Sequence, residues 1–133
     1  MSVQRTSWDT YFAFLKKQFP NWSEQQIYTE CSKLNAPLDV APHTTGAAVD
    51  LTLIDESGRW LDMGCEFNAS PLETEDRTYT DALNISEEAK TNRKILTKAM
   101  TQAGFVNYPT EWWHWSYGDK YWALLSGAPH ALY

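Results

Sequence analysis

Two short segments of this sequence combine histidine with carboxylates at spacings that could hold a metal ion. His43 lies in a Pro-His-Thr-Thr-Gly loop, and Asp50 follows it seven residues later. Glu111 and His114 are three residues apart in the aromatic run Glu-Trp-Trp-His-Trp. Two imidazoles and one carboxylate, with a second carboxylate nearby, form the ligand set of a catalytic zinc site with an open position for water and a base beside it.

For each of these residues, an ordinary structural role is the alternative to metal binding. A histidine before a strand usually forms hydrogen bonds within its loop, and a strand aspartate usually lies at a sheet edge. An aspartate in the middle of an apolar strand is costly unless it is paired or binds a cation. The residue types alone therefore leave a zinc site and a purely structural role both open.

The first third of the chain has the pattern of two helices. Apolar residues recur at three- and four-residue steps over residues 8–19 and predict a helix that Pro20 ends. Ser23 is a predicted N-cap with Gln26 in the capping-box position, and the second helix then runs to about Leu34.

The middle of the chain predicts a strand over residues 47–55, since Val49, Leu51 and Leu53 share one face by the two-residue period. Residues 60–63 are a candidate returning strand of a hairpin. The polar stretch that follows, residues 68–83, is a candidate flexible loop over a site.

The last third predicts a long helix and a closing hairpin. Ser86 caps a helix over residues 87–103, which Gly104 ends. Residues 111–125 have the pattern of a strand, a Gly118-Asp119 turn and a second strand. The order of elements predicts an α+β fold in which a small antiparallel sheet carries the site and packs against helices.

Length and composition narrow the classes of function. The 133 residues fit a single domain, and a net charge of −6 argues against nucleic acid as the partner. The sequence has no apolar run long enough to cross a bilayer and no secretory signal, so we expect a cytoplasmic protein if Met1 is the true start. Cys31 and Cys65 are expected to be reduced and partly buried thiols.

The two histidine segments resemble the signatures of the VanX-type D-alanyl-D-alanine dipeptidases, a family of zinc D,D-peptidases. Residues 42–53 match a His-x6-Asp motif and residues 111–115 match a Glu-x2-His motif. Further similar segments extend the resemblance over essentially the whole chain: Asp62-Met63-Gly64, Asn92-Arg93, Gly104-Phe105 and Pro129-His130-Ala131.

The resemblance implies a zinc-dependent peptidase that cleaves D-Ala-D-Ala or a similar short peptide. His43, Asp50 and His114 would be the ligands of one zinc ion per chain. Glu111 would be the catalytic general base that takes a proton from the attacking water and passes it to the departing amine. Asn68 would be a substrate-binding residue, because it aligns with the acidic residue that holds the substrate ammonium in the family.

Two structural expectations accompany these assignments. A regular strand would point residues 111 and 114 to opposite faces, so we expect a local irregularity between them. His130 is expected to be structural, because three ligands are already assigned.

The sequence departs from the family pattern at three points. The family arginine that stabilises the oxyanion aligns with Met1–Gln4, with Arg5 out of register, and its loss would cost on the order of a hundredfold to a thousandfold in rate. The family's upstream portion is missing, either by truncation or in a naturally shortened relative. Ala41 and Asn68 replace pocket residues of the family, and an uncharged Asn holds an ammonium less firmly than a carboxylate does.

These departures leave two alternatives to the dipeptidase. One is a catalytically impaired relative that keeps zinc as a binding or structural element. The other is a peptidoglycan carboxypeptidase with changed specificity. The expected partner is a small peptide substrate, D-Ala-D-Ala or a related peptide, and the sequence does not indicate the oligomeric state.

Overall fold

The computed structural model describes residues 3–34 and 42–133. Within these residues the chain forms helices around a small three-stranded antiparallel sheet, which confirms the predicted α+β class. The elements are α1 (Val3–Gln18), α2 (Glu24–Leu34), a short 3-10 helix (Pro42–Thr45), β1 (Ala48–Asp50), α3 (Glu87–Gln102), β2 (Val106–Asn107), β3 (His114–Ser116) and α4 (Lys120–Ser126).

Helices α1 and α2 form a hairpin with its own apolar cluster. Leu15, Ile27 and Cys31 are buried at its centre, and a ring of partly buried aromatic residues surrounds them. The predicted capping box is present, because the Ser23 backbone N–H donates to Gln26 Oε1 and the Gln26 N–H donates to Ser23 Oγ. Both predicted helices are confirmed, although α1 begins earlier than the apolar pattern indicated.

The sheet has β3 at its centre, between β1 and β2. In the β1–β3 ladder Ala48 lies opposite Ser116 and Asp50 lies opposite His114. This register matters for the site, because it places the aspartate of one histidine segment directly beside the histidine of the other.

The predicted strand over residues 47–55 is wrong in its length. Regular pairing stops at Asp50, since β3 begins at His114 and offers no further partner. Beyond that point the Leu51 N–H still donates to the Trp113 carbonyl. The chain then pairs with the predicted returning segment through an antiparallel β-bridge between Ile54 and Trp60. The predicted hairpin is therefore present as a short antiparallel pairing, in which the Leu61 N–H donates to the Leu53 carbonyl and the Asp55 N–H donates to the Arg59 carbonyl.

The predicted apolar face of this strand is also only partly covered. Leu51 and Leu53 pack against the second core of the molecule. Val49 is 42% exposed. It lies on an edge strand of the sheet.

The second core lies between α3 and the sheet. Its buried members are Met63, Leu96, Trp112, Trp113 and Trp115. The predicted helix α3 is confirmed at both ends: Ser86 Oγ accepts from the Ala89 N–H, and Gly104 follows with a positive φ of 85°.

The predicted second strand of the closing hairpin is wrong, because residues 120–126 form helix α4. Asp119 caps this helix through a hydrogen bond from the Trp122 N–H, and Gly127 ends it in the left-handed conformation. The Gly118-Asp119 pair thus begins a helix instead of turning a hairpin. None of the helices in residues 3–34 and 42–133 has the length and apolarity that a bilayer crossing needs.

Residues 68–83 form consecutive turns without a regular element, as expected. Several of their side chains are nevertheless buried, among them Ser70, Thr74 and Thr78. The buried guanidinium of Arg93 donates hydrogen bonds to the carbonyls of Arg77 and Tyr79. The segment is therefore packed against the body of the molecule, which differs from the expected flexible loop.

Candidate metal centre

The β1–β3 register brings three side chains from distant parts of the sequence together. His43 comes from the 3-10 helix that precedes β1, Asp50 ends β1, and His114 begins β3. His43 Nε2 and His114 Nδ1 are 3.0 Å apart. Asp50 Oδ1 lies 3.0 Å from His114 Nδ1 and 3.4 Å from His43 Nε2. Two nitrogens and one oxygen therefore converge on one point, where they could hold a metal ion.

This group is open to solvent on one side. His114 is buried, whereas His43 and Asp50 are exposed. The His43 ring also forms a hydrogen bond with the backbone of Ala48, and His114 Nε2 lies 3.4 Å from Ser116 Oγ. Such secondary contacts fix the orientation of an imidazole whose other nitrogen faces a ligand.

The charges of the group favour an anionic aspartate. Burial opposes the charged form of Asp50, but hydrogen bonds from His114 and His43 outweigh it and lower the pKa of the carboxyl to about 2. The same hydrogen bond to Asp50 raises the pKa of His43. Asp50 is therefore a full negative charge at neutral pH, as a carboxylate ligand has to be.

Glu111 precedes β3 in a tight turn, and this is the irregularity that the sequence led us to expect. The Glu111 N–H donates to the Tyr108 carbonyl, and the His114 N–H donates to the Glu111 carbonyl at 3.2 Å. Because the chain turns between them, residues 111 and 114 face the same site. Glu111 Oε2 lies 3.7 Å from His114 Nδ1.

Asn107 holds this turn, and the sequence analysis did not identify it. Its amide nitrogen donates to the carbonyls of Glu111 and His114, both at 3.0 Å. The Thr80 hydroxyl donates in turn to Asn107 Oδ1. A single Asn after a short strand gives no signal of such a role in the sequence, since the role depends on two carbonyls that only the folded chain brings together.

Glu111 is the buried carboxylate beside the group. It is 7% exposed, and burial together with the nearby charge of Asp50 raises its pKa to about 8. Two carboxylates in one site thus have opposite properties: Asp50 is ionised, and Glu111 retains its proton at neutral pH in the absence of a cation.

The other residues singled out in the sequence do not join the group. Asn68 is exposed in the left-handed conformation with a φ of 60°, next to Phe67, which packs against Trp112 and Trp113. Its role in substrate binding remains a prediction. His130 is exposed and lies outside the group, Arg5 is exposed on α1, and position 41 lies outside the described residues.

Comparisons with known proteins identify the family of the chain. Residues 12–126 match the peptidase M15 family model, described as D-ala-D-ala dipeptidase. The chain is 38% identical over 103 residues to a D-alanyl-D-alanine dipeptidase of Synechocystis, covering 72% of this chain and 42% of that protein. It is 35% identical over 98 residues to the Escherichia coli D-alanyl-D-alanine dipeptidase, covering 71% and 49%.

A third relative, the D-alanyl-D-alanine dipeptidase of Enterococcus faecalis, is 28% identical over 106 residues, which cover 79% of this chain and 48% of that protein. The chain thus spans about half the length of the curated relatives it matches. The family model covers most of the chain, and the matched part contains His43, Asp50, Glu111 and His114. The chain belongs to the D-Ala-D-Ala dipeptidase family of M15 peptidases.

Proposed function

We propose that this chain catalyses the zinc-dependent hydrolysis of D-Ala-D-Ala or a similar short D-amino-acid peptide. The observation that carries the proposal is the convergence of His43, Asp50 and His114 with Glu111 beside them. The relatives named above are D-alanyl-D-alanine dipeptidases, which supports the same substrate class for this chain.

The donor set fits zinc in type and in spacing. Zinc takes nitrogen and oxygen ligands at about 2.0–2.2 Å in a tetrahedral arrangement, which sets neighbouring donors about 3.3–3.6 Å apart. The three donor atoms here are separated by 3.0, 3.0 and 3.4 Å, close to that spacing. When bound, zinc would supply Lewis-acid chemistry, which acidifies water and polarises a peptide carbonyl.

Glu111 is the group that would move the proton. A general base works best when its pKa lies near the operating pH, and burial brings the pKa of Glu111 to about 8. It lies beside the donor group without belonging to it. The charge of a bound cation would favour its ionised form, so that its oxygens could accept the proton of the attacking water and deliver it to the departing amine. Asn107 supports this role, because it fixes the backbone on both sides of the turn.

A second candidate function follows from Asn68. An uncharged side chain at this position favours a peptide without a free ammonium over the free dipeptide. The protein would then be a carboxypeptidase that acts on longer peptides ending in D-Ala-D-Ala, with the same zinc ligands and the same base.

The test is release of free D-alanine from D-Ala-D-Ala by the zinc-loaded chain. We expect release that stops when the metal is removed and falls at least about a hundredfold in Glu111→Gln. Glu56→Gln is the matched control, since this glutamate is exposed in a turn away from the site, and it should retain full activity.

Three results would count against the proposal. Full activity in Glu111→Gln would place the base elsewhere, and activity in the metal-free protein would remove the metal from the reaction. Absence of any release while zinc remains bound would indicate a relative that binds the metal without catalysis.

A further inference from the structure

The Ser116 hydroxyl is the partner of the second ring nitrogen of His114. Both residues belong to β3 and are two positions apart, so their side chains lie on the same face of the sheet. Ser116 Oγ lies 3.4 Å from His114 Nε2, whereas His114 Nδ1 faces Asp50. Ser116 is 1% exposed and His114 is also buried, so the hydroxyl and the imidazole meet away from bulk solvent.

The neighbours of Ser116 in the sheet do not compete for its hydroxyl. Ser116 lies opposite Ala48 in β1 and opposite Val106 in β2, and both of these side chains are apolar. Within residues 3–34 and 42–133, the contact with His114 is the one hydrogen bond of Ser116 Oγ. The two buried groups therefore depend on each other, since a buried polar group without a partner costs free energy.

A hydroxyl differs from the usual second partner of a metal-binding histidine. Carboxylates and backbone carbonyls only accept hydrogen bonds, so they hold the imidazole proton on the nitrogen that faces them. The His43 ring has a backbone partner of this kind at Ala48. The Ser116 hydroxyl can donate as well as accept, so it can satisfy either neutral tautomer of His114.

The candidate metal centre requires both tautomers of His114. Without a cation, Nδ1 lies 3.0 Å from Asp50 Oδ1, and an ionised carboxylate only accepts, so the ring proton is on Nδ1. With a metal ion bound, Nδ1 is the ligand atom and carries no proton. The neutral ring then has its proton on Nε2, next to Ser116.

We infer that Ser116 is a positioning residue whose hydroxyl reverses its hydrogen bond with His114 when the metal binds. In the metal-free protein the hydroxyl donates to Nε2, and in the metal-bound protein it accepts from the Nε2–H. The ring releases its Nδ1 proton to solvent and takes up one proton at Nε2, so it is neutral in both states. The inference rests on the proposed function for the metal ligands, but it does not depend on hydrolysis.

NMR spectroscopy of the chain with ¹⁵N-labelled histidine tests the tautomer directly. The chain has three histidines, and the variants His43→Gln and His130→Gln assign the ring signals of the metal-free protein. We expect the His114 proton on Nδ1 without metal and on Nε2 after one equivalent of zinc. A proton that is already on Nε2 in the metal-free protein would overturn the inference.

The zinc affinity of Ser116 variants tests the role of the hydroxyl. Ser116→Ala removes the acceptor of the Nε2–H, so we expect the dissociation constant for zinc to rise about tenfold to a hundredfold. Ser116→Thr keeps the hydroxyl and should restore most of the affinity. Ser70→Ala is the matched control, because Ser70 is also buried but bonds to the Tyr11 hydroxyl outside the group, and it should leave zinc binding unchanged.

Equal zinc affinity in the wild type and Ser116→Ala would contradict the inference. An equal loss in Ser116→Ala and Ser70→Ala would also contradict it, because the effect would then be one of stability alone; this comparison holds even if Ser116→Thr does not fold. If the wild type changed tautomer on binding zinc but released no D-alanine from D-Ala-D-Ala, the proposed function would fail and the role of Ser116 would stand.

Discussion

At the scale of single residues, the site depends on two carboxylates with opposite protonation. Asp50 accepts hydrogen bonds from two imidazoles, which bring its pKa to about 2. Glu111 has no such donors and is buried, so its pKa rises to about 8. The difference between the two pKa values suits Asp50 to binding a cation and Glu111 to transferring a proton.

The sequence predicted these residues because their types and spacing are properties of short segments. His43 and Asp50 lie in one segment, and Glu111 and His114 lie in the other. Asn107 could not be predicted in the same way. Its role depends on the turn that brings the Glu111 and His114 carbonyls to its side-chain amide, and Asn107 belongs to no motif.

The two cysteines should differ in reactivity. Cys31 is fully buried in the α1–α2 hairpin, and burial raises the pKa of its thiol to about 11. Cys65 is only partly buried, and its pKa is raised by burial against the opposing effect of Trp112 and Arg93. Since the thiolate is the nucleophile, we expect the folded protein at pH 8 to react with iodoacetamide slowly at Cys65 and not measurably at Cys31.

The measurement is mass spectrometry of the alkylated protein, with single Cys→Ser variants to identify the site. Folding raises the pKa of the Cys31 thiol above its ordinary value of 9.0, so the folded state is favoured while the thiol is protonated. This contribution to the free energy of unfolding is present below pH 9 and is lost as the pH rises toward 11. Rapid alkylation of Cys31 at pH 8 in the folded protein would contradict this account.

At the scale of elements, local signals explain which predictions succeeded. Helices α2 and α3 have capping residues at their starts, and both begin where the caps indicated. The pattern of residues 120–125 favours a strand, because aromatic residues are frequent in strands and Gly118-Asp119 has the pattern of a hairpin turn. Asp119 instead caps α4, and a cap and a turn residue cannot be distinguished by residue type alone.

The cap of α4 gives a stability prediction. Asp119 Oδ1 accepts from the Trp122 N–H, so Asp119→Ala should lower the free energy of unfolding by about 1–2 kcal/mol. Asp119→Asn keeps an acceptor at the same position and should lose less. Urea denaturation of both variants checks this, and equal losses would mean that the cap does not stabilise the helix.

The α1–α2 hairpin supports the turn that carries Glu111. The Tyr108 hydroxyl donates to the Ser32 carbonyl at 3.3 Å, and the Thr110 hydroxyl donates to the Lys33 carbonyl at 3.0 Å. These carbonyls belong to the last turn of α2 and have no partner within the helix. The hydrogen bonds thus connect the end of α2 to the residues just before Glu111.

Removing one of these hydrogen bonds should therefore weaken the molecule measurably. We expect Thr110→Val to lower the free energy of unfolding by about 1 kcal/mol, because the Lys33 carbonyl loses its donor. Thr110→Ser retains the hydroxyl and should remain within about half of that loss. Thermal unfolding of the pair provides the comparison, and a Ser variant as unstable as the Val variant would assign the effect to packing.

At the scale of the whole molecule, the candidate metal centre forms only when three parts of the chain meet. His43, Asp50 and His114 are brought together by the β1–β3 pairing, and the two histidines are 71 residues apart. Metal binding and folding should therefore be coupled, since an unfolded chain does not present these donors together. The chain spans about half the length of these relatives, and it contains the three possible metal donors together with Glu111.

The most direct test of the account is calorimetric titration of the metal-free chain with zinc, for the wild type, His114→Ala and Glu111→Gln. We expect one equivalent to bind to the wild type and to Glu111→Gln, and none to His114→Ala. Zinc at a thousandfold excess over its dissociation constant should also stabilise the first two by about 4 kcal/mol. Unchanged zinc binding in His114→Ala, or its loss in Glu111→Gln, would contradict the assignment of His114 as a ligand and of Glu111 as a base that stays off the metal.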